Sequence, residues 1–266
     1  MNIIIVTGAS SGMGRETARQ LDRIYTDGID EIWLIARRVE RLEALSKELT
    51  HNCHILDLDL TKEASFEKLK LELELFKPNI KMLVNASGFG VSGNFADSDL
   101  EKQLDMIKLN CLALTHVTGL CLPYMPNNSR IIQFASSAAF TPQIGFGIYA
   151  ATKAFVLSFS ESLNAELKER NISVTSVCPG PVDTEFFDSF EEGKNNFEFK
   201  KYFMANEKDV VKEAIKDSYK RRPTSVYSLP MKAFKAVSDS VPNEVVLFAM
   251  DKLKKMENND KINEQE

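Results

Sequence analysis

The run Ile3-Ile4-Ile5-Val6 passes directly into Thr7-Gly8-Ala9-Ser10-Ser11-Gly12-Met13-Gly14, and then into a helical pattern with Ala18, Leu21, Ile24 and Tyr25 on one side. A continuous β-branched run fits a strand buried on both faces. Glycines between such a strand and a helix let backbone approach a pyrophosphate. The helix N-terminus beyond them offers unpaired N–H groups and a partial positive charge. The spacing is G-x-x-x-G-x-G, not the commoner G-x-G-x-x-G. A strand, a glycine turn and a helix in this order predict the first unit of a dinucleotide-binding α/β sheet.

The rest of the chain continues the alternation. Glu31 to Ala36 reads as a second strand, followed by a helix marked by Leu42, Leu45 and Leu49. His54 to Asp57 is a third strand leading to Asp59-Leu60, with Thr61 as the N-cap of a helix carrying Phe66, Leu69, Leu73 and Phe76. Lys81 to Val84 is a fourth strand, and a helix from Leu100 to Leu122 contains Asn110. Arg130 to Ala135 is a fifth strand and delivers Ser136-Ser137; a helix from Tyr149 to Arg170 follows, then a strand from Ser173 to Cys178. Alternation without a Pro/Gly-rich linker predicts one parallel, doubly wound sheet with helices on both faces. Ligands of such sheets bind beyond the C-terminal strand ends. Five such ends carry the polar or glycine-rich segments: Gly8 to Gly14, Arg37, Asn85 to Gly90, Ser136 and Pro179 to Thr184.

At the end of the second strand, an acidic residue would bind the ribose hydroxyls of NAD. Here Ala36 is followed by Arg37 and Arg38. Guanidinium forks suit a phosphate monoester, so the cofactor expected is NADP. The net charge of −5 over 266 residues argues against a nucleic-acid or polybasic membrane surface. Cys53, Cys111, Cys121 and Cys178 lack ligand spacing, which excludes a zinc site and a disulfide framework and points to a reducing, cytoplasmic location. No signal peptide is expected from the N-terminal residues, and no bilayer-spanning run is expected from the apolar patterning. His51, His54 and His116 show no partner pattern and are expected to be surface or filler.

Tyr149 and Lys153 lie four residues apart (153 − 149) within a helical pattern, on one face and about a turn apart. Such a pair is usually a packed ring and a solvated amine. Set beside a nucleotide site it has another use, because an ammonium near a phenol lowers the phenol pKa from its ordinary value of about 10.

With these residues in view, the chain resembles the short-chain dehydrogenase/reductase family. The resemblance rests on Thr7-Gly8-x-x-x-Gly12-x-Gly14, Asn85-x-x-Gly88, Asn110, Ser136, Tyr149-x-x-x-Lys153 and Pro179-Gly180, over residues 1 to 190. It implies a Rossmann-type sheet of strand order 3-2-1-4-5-6-7. It further implies that Tyr149 is the general acid/base, that Lys153 holds the nicotinamide ribose and lowers the tyrosine pKa, that Ser136 orients the carbonyl, and that Asn110 holds a water. Candidate cofactor contacts, besides Tyr149 and Lys153, are Gly8, Ser10, Ser11, Gly12, Met13, Gly14, Arg37, Arg38, Asp59, Leu60, Asn85, Ala86, Ser87, Gly88, Pro179, Gly180, Val182 and Thr184. No metal is required. Two departures stand out. Asn85-Ala86-Ser87-Gly88 lacks the family's second amide, with Asn85 still expected to fix the turn. Ser136 precedes the tyrosine by 13 positions, the family's separation, and Ser137 by 12.

Residues 1–256 are expected to form one domain, with a substrate loop over 184–206, a helical extension over 230–256 and a disordered tail over 257–266. The loop is aromatic, with Phe186, Phe187, Phe190, Phe197, Phe199, Tyr202 and Phe203, and suits a lid over an apolar pocket. Asn206 to Tyr219 reads as a capped helix and Thr224 to Ser228 as the last strand. Two amphipathic helices separated by Pro242 follow, ranked as a cover for the cleft, a dimer face or, last, a membrane contact. The expectation is a hydride-transferring, NADP-dependent reductase of a hydrophobic ketone or aldehyde, or the reverse alcohol oxidation, acting in a homo-oligomer. The rivals are a silent NADP-binding regulator and a reductase of carrier-bound acyl chains.

Overall fold

The computed structural model describes residues 1–25, 27–186, 204–238 and 240–252. Its centre is a parallel sheet of order β3-β2-β1-β4-β5-β6-β7. The strands are β1 (Asn2–Thr7), β2 (Glu31–Ala36), β3 (Asn52–Asp57), β4 (Asn79–Asn85), β5 (Arg130–Phe134), β6 (Ser173–Val177) and β7 (Thr224–Ser225). Ile3 to Val6 are fully buried because helices cover both faces.

The helices named next are α1 (Gly12–Ile24), α2 (Val39–Ser46), α3 (Glu63–Phe76), α4 (Leu100–Ile107), α5 (Leu114–Cys121), α6 (Gly147–Glu166), α7 (Glu207–Tyr219) and α8 (Leu229–Ser238). A ninth, α9, spans residues 243–252. On one face Ile3, Ile5, Leu83, Ile131 and Val174 pack with α3, α5 and α6. On the other, Ile4, Val6, Val84 and Ile132 pack with α1, α2 and α7. The order reverses between β1 and β4, so the crevice beyond the strand ends opens between the two halves of the sheet.

Several boundaries differ from the expectation. The α3 helix begins at Glu63 after Lys62, not at a Thr61 cap, because Asp59 Oδ1 has captured the Thr61 N–H (3.0 Å) and hydroxyl (2.8 Å). Strand β7 pairs only through Thr224 and Ser225, and Ser228 already has a φ of 72°. The α6 helix ends at Glu166, short of Arg170. The stretch Leu100–Tyr124 is helical throughout and, by length and composition, long and apolar enough to cross a bilayer. Here Val117 and Cys121 of it are fully buried in the core. Its middle, Lys108–Ala113, is a π-helical turn carrying Asn110.

Candidate active site

The first turn of α1 leaves its donors open. Ser11 is the N-cap but makes no side-chain cap bond, and the first intrahelical bond runs from the Arg15 N–H to the Ser11 carbonyl. The N–H groups of Gly12, Met13 and Gly14 therefore have no intrahelical acceptor. A Cβ on Gly14 would stand 2.4 Å from the Gly8 carbonyl oxygen, and one on Gly8 2.8 Å from the Ala86 carbonyl. Close backbone approach demands both glycines, and Gly8 also has a φ of 67°. The turn after β4 is fixed by Thr7, whose Oγ1 accepts from the N–H groups of Ala86 (3.1 Å) and Ser87 (3.2 Å). Asn85 does not do this; its Nδ2 donates to Thr118 Oγ1 on α5 (2.9 Å).

These segments line a cavity of about 870 Å³ beyond the strand ends. Of the predicted residues, Ser136, Tyr149 and Lys153 lie in its wall. So do Gly8, Ser10, Ser11, Gly12, Met13, Gly14, Arg37, Arg38, Asp59, Leu60, Ala86, Ser87, Gly88, Pro179, Gly180, Val182 and Thr184. Asn85 and Asn110 do not. The π turn brings Asn110 against the loop after β4. Its Oδ1 accepts from the Phe89 N–H (3.1 Å), and its Nδ2 donates to the Phe89 carbonyl (2.9 Å) and Thr152 Oγ1 (3.1 Å). A Cβ on Gly88 would meet Asn110 Oδ1 at 2.9 Å and Lys153 Nζ at 3.4 Å. Asn110 thus braces the wall from behind.

Tyr149 is 7% exposed and Lys153 6%. The phenol ring packs with Phe146 (5.1 Å, edge-on) and Phe186 (5.6 Å, tilted), and the Ser136 side chain is near enough to its hydroxyl to pull the phenol pKa down. Of the two adjacent serines, Ser136 is the one that acts on the phenol. Ser136 Oγ also accepts from the Ala138 N–H (3.1 Å), which fixes its rotamer. Lys153 Nζ donates to the Phe134 carbonyl at the end of β5 (2.8 Å) and lies 5.7 Å from the centre of the Tyr149 ring. Burial pushes the phenol up to about 12, with the Ser136 side chain opposing. Burial also brings the Lys153 amine down to about 8. The sequence-based expectation was a lowered phenol. Desolvation outweighs the lysine because the amine is itself stripped of water and spends a donor on Phe134.

At the far end of the cavity the two arginines part company. Arg38 donates to Ser10 Oγ and Ser11 Oγ beside the glycine turn, whereas the charge of Arg37 acts on Asp59. A cavity with an uncapped helix N-terminus and a guanidinium beside its glycine turn fits the phosphates of a dinucleotide.

Gln143, Phe146 and Glu185, with Pro230, Met231 and Phe234 from α8, also line the cavity, and no motif in the sequence points to them as site residues. Residues 187–203, which hold Phe187, Phe190, Phe197, Phe199, Tyr202 and Phe203, lie outside the described residues, as does the tail from 257. His51 does have a partner: its Nδ1 lies 2.7 Å from Asp22 Oδ1, which ties the β3 edge to α1. Among the described residues no cluster of metal-binding side chains occurs.

The family described as short chain dehydrogenase matches residues 2–195. Serine 3-dehydrogenase of Agrobacterium fabrum is 35% identical over 188 residues, 69% of this chain and 73% of that protein. An NADP-dependent 3-hydroxy acid dehydrogenase of Shigella flexneri is 36% identical over 188 residues, 69% of this chain and 74% of the relative. The structure of a short-chain dehydrogenase from Sphingobium yanoikuyae in complex with NADPH superposes with a TM-score of 0.73 at 26% identity, covering 91% of this chain and 97% of that one.

Proposed function

The chain belongs to the short-chain dehydrogenase/reductase family and is an oxidoreductase acting on CH–OH groups; from that premise we propose that it is an NADP-dependent reductase of an uncharged, hydrophobic ketone or aldehyde, or of the matching alcohol in reverse. The bound cofactor supplies the hydride. Tyr149 donates the proton to the oxygen of the carbonyl, and Ser136 hydrogen-bonds that same oxygen as negative charge develops on it. The phenol is protonated at neutral pH, as a proton donor must be, and the alkoxide that develops is the stronger base. Lys153 holds the cofactor ribose, and Asn110 positions Gly88, Phe89 and Thr152 around it. The single observation that carries this reading is the placement of Ser136, a buried Tyr149 and Lys153 together in the wall of one cavity.

The charge distribution supports an uncharged substrate. Among the described lining residues the cations are Arg37 and Arg38 at the cofactor end and Lys153 at the centre. Beside the tyrosine stand Phe146 and Phe186, and Met231, Phe234 and Gln143 also line the cavity. Serine and 3-hydroxy acids, named for the two relatives, carry carboxylates that the described side chains packed on the tyrosine, Phe146 and Phe186, do not pair. NADPH and NADH oxidation with aryl ketones, aldehydes and keto acids tests all parts. The reading expects NADPH-dependent turnover with a neutral carbonyl; no turnover with any carbonyl contradicts it.

Self-association and location follow from other features. Leu104, Ile107, Leu112 and Phe155 are exposed on adjacent α4, the π turn and α6, which supports a homo-oligomer. Leu104→Glu should shift the mass measured by light scattering to that of a smaller species. Four free thiols fit the reducing interior of a cell.

A further inference from the structure

The cofactor end of the cavity already holds an anion. Arg38 donates through Nε and Nη2 to Ser10 Oγ (3.2 and 3.1 Å), through Nη2 to Ser11 Oγ (2.6 Å) and through Nη1 to Glu185 Oε2 (3.1 Å). A guanidinium has five N–H groups, and these contacts engage all three of its nitrogens. Arg41 Nη1 lies 2.7 Å from each Glu185 oxygen. The two arginines hold the Glu185 carboxyl below its ordinary range, so it is ionised at neutral pH. Glu185 directly follows Thr184 in the cavity wall, and both lie where Gly12 and Arg38 meet.

We propose that Glu185 sets cofactor selectivity by competing with a 2′-phosphate for Arg38 and Arg41; this rests on the NADP reading above. The side-on pair of Arg38, Nε and Nη2, already faces Ser10 Oγ, so a phosphate that grips the guanidinium end-on through Nη1 and Nη2 meets the nitrogen held by Glu185. The phosphate and the carboxylate then face each other across one guanidinium and repel. A ribose with a free 2′-hydroxyl makes no such demand and can donate to Glu185 instead. The carboxylate therefore narrows the gap between the two cofactors that the arginines alone would open. The pairs are open to solvent, with side chains 44% exposed at Arg38 and Arg41 and 42% at Glu185, so the exchange is cheap and salt-sensitive.

The test is calorimetric titration of wild type, Glu185→Gln, Glu185→Asp and Arg38→Gln with 2′,5′-ADP and with 5′-ADP, at about 50 and 300 mM salt. Glu185→Gln should bind 2′,5′-ADP about five- to tenfold more tightly, with 5′-ADP no tighter, and the gain should shrink at the higher salt. Glu185→Asp, which keeps the charge, should stay close to wild type. Unchanged or weaker 2′,5′-ADP binding by Glu185→Gln overturns the proposal and leaves the NADP reading standing, provided Arg38→Gln weakens 2′,5′-ADP selectively. If Arg38→Gln leaves 2′,5′-ADP binding intact, the NADP reading fails and the proposal with it.

Discussion

The two ends of the cavity are built by different means. At the cofactor end, backbone meets backbone: Gly14 against the Gly8 carbonyl, Gly8 against Ala86, and Thr7 Oγ1 on the N–H groups of the turn after β4. At the substrate end, side chains from separate parts of the chain meet. Phe146 comes from the start of α6, Phe186 from the segment after β6, and Met231 and Phe234 from α8. The first end tolerates almost no change of residue type, because a Cβ there strikes a peptide group. The second can be refilled by many apolar residues. Tyr149 stands where the two meet.

The sharpest way to break this contrast is Gly14→Ala. Its Cβ would sit 2.4 Å from a backbone oxygen that cannot move without disturbing β1, so a loss of about 3 kcal/mol or more is expected, read as a fall of roughly 10 °C in Tm. A variant that melts with wild type would show that the cradle is not rigid.

Lys153 tests the junction through pH. Its amine is lowered from 10.5 to about 8, so between pH 8 and 10.5 the unfolded chain binds more protons than the folded one. Stability from this group must therefore rise across that window, by up to about 3 kcal/mol relative to Lys153→Met. Denaturant melts of both proteins at pH 7.5 and 10 would measure it. Parallel profiles would mean that the amine is better hydrated than its surroundings imply.

The smallest effect belongs to the substrate end. Phe234→Ala should raise KM for a bulky aryl ketone about tenfold, near 1.4 kcal/mol, and leave a small ketone and 2′,5′-ADP binding unchanged. Equal losses for large and small ketones would place Phe234 in general packing.

The same contrast decides what could be read in advance. Strand Glu31–Ala36 was legible to the residue, since a continuous buried apolar run bounded by charge leaves little choice. The glycine spacing and the Tyr149/Lys153 pair were legible because they are local. The brace at Asn110 was not, since its partners Phe89 and Thr152 are 21 and 42 positions away. Glu185, 147 positions from Arg38, was invisible for the same reason. The phenol pKa was misjudged because spacing reports a neighbouring charge but not the burial that opposes it. Asn85 was assigned the turn that Thr7 holds; nothing local distinguishes two polar side chains at adjacent strand ends.

The most direct measurement of the central claim is carbonyl-dependent NADPH oxidation by Tyr149→Phe, run beside titration of the same variant with 2′,5′-ADP. The ring, its packing with Phe146 and Phe186 and the cavity are kept, and only the hydroxyl is lost. A fall in kcat of about 10³-fold or more with 2′,5′-ADP affinity intact is the predicted result. A variant that keeps more than about a tenth of its turnover would contradict the assignment of Tyr149 as the proton donor.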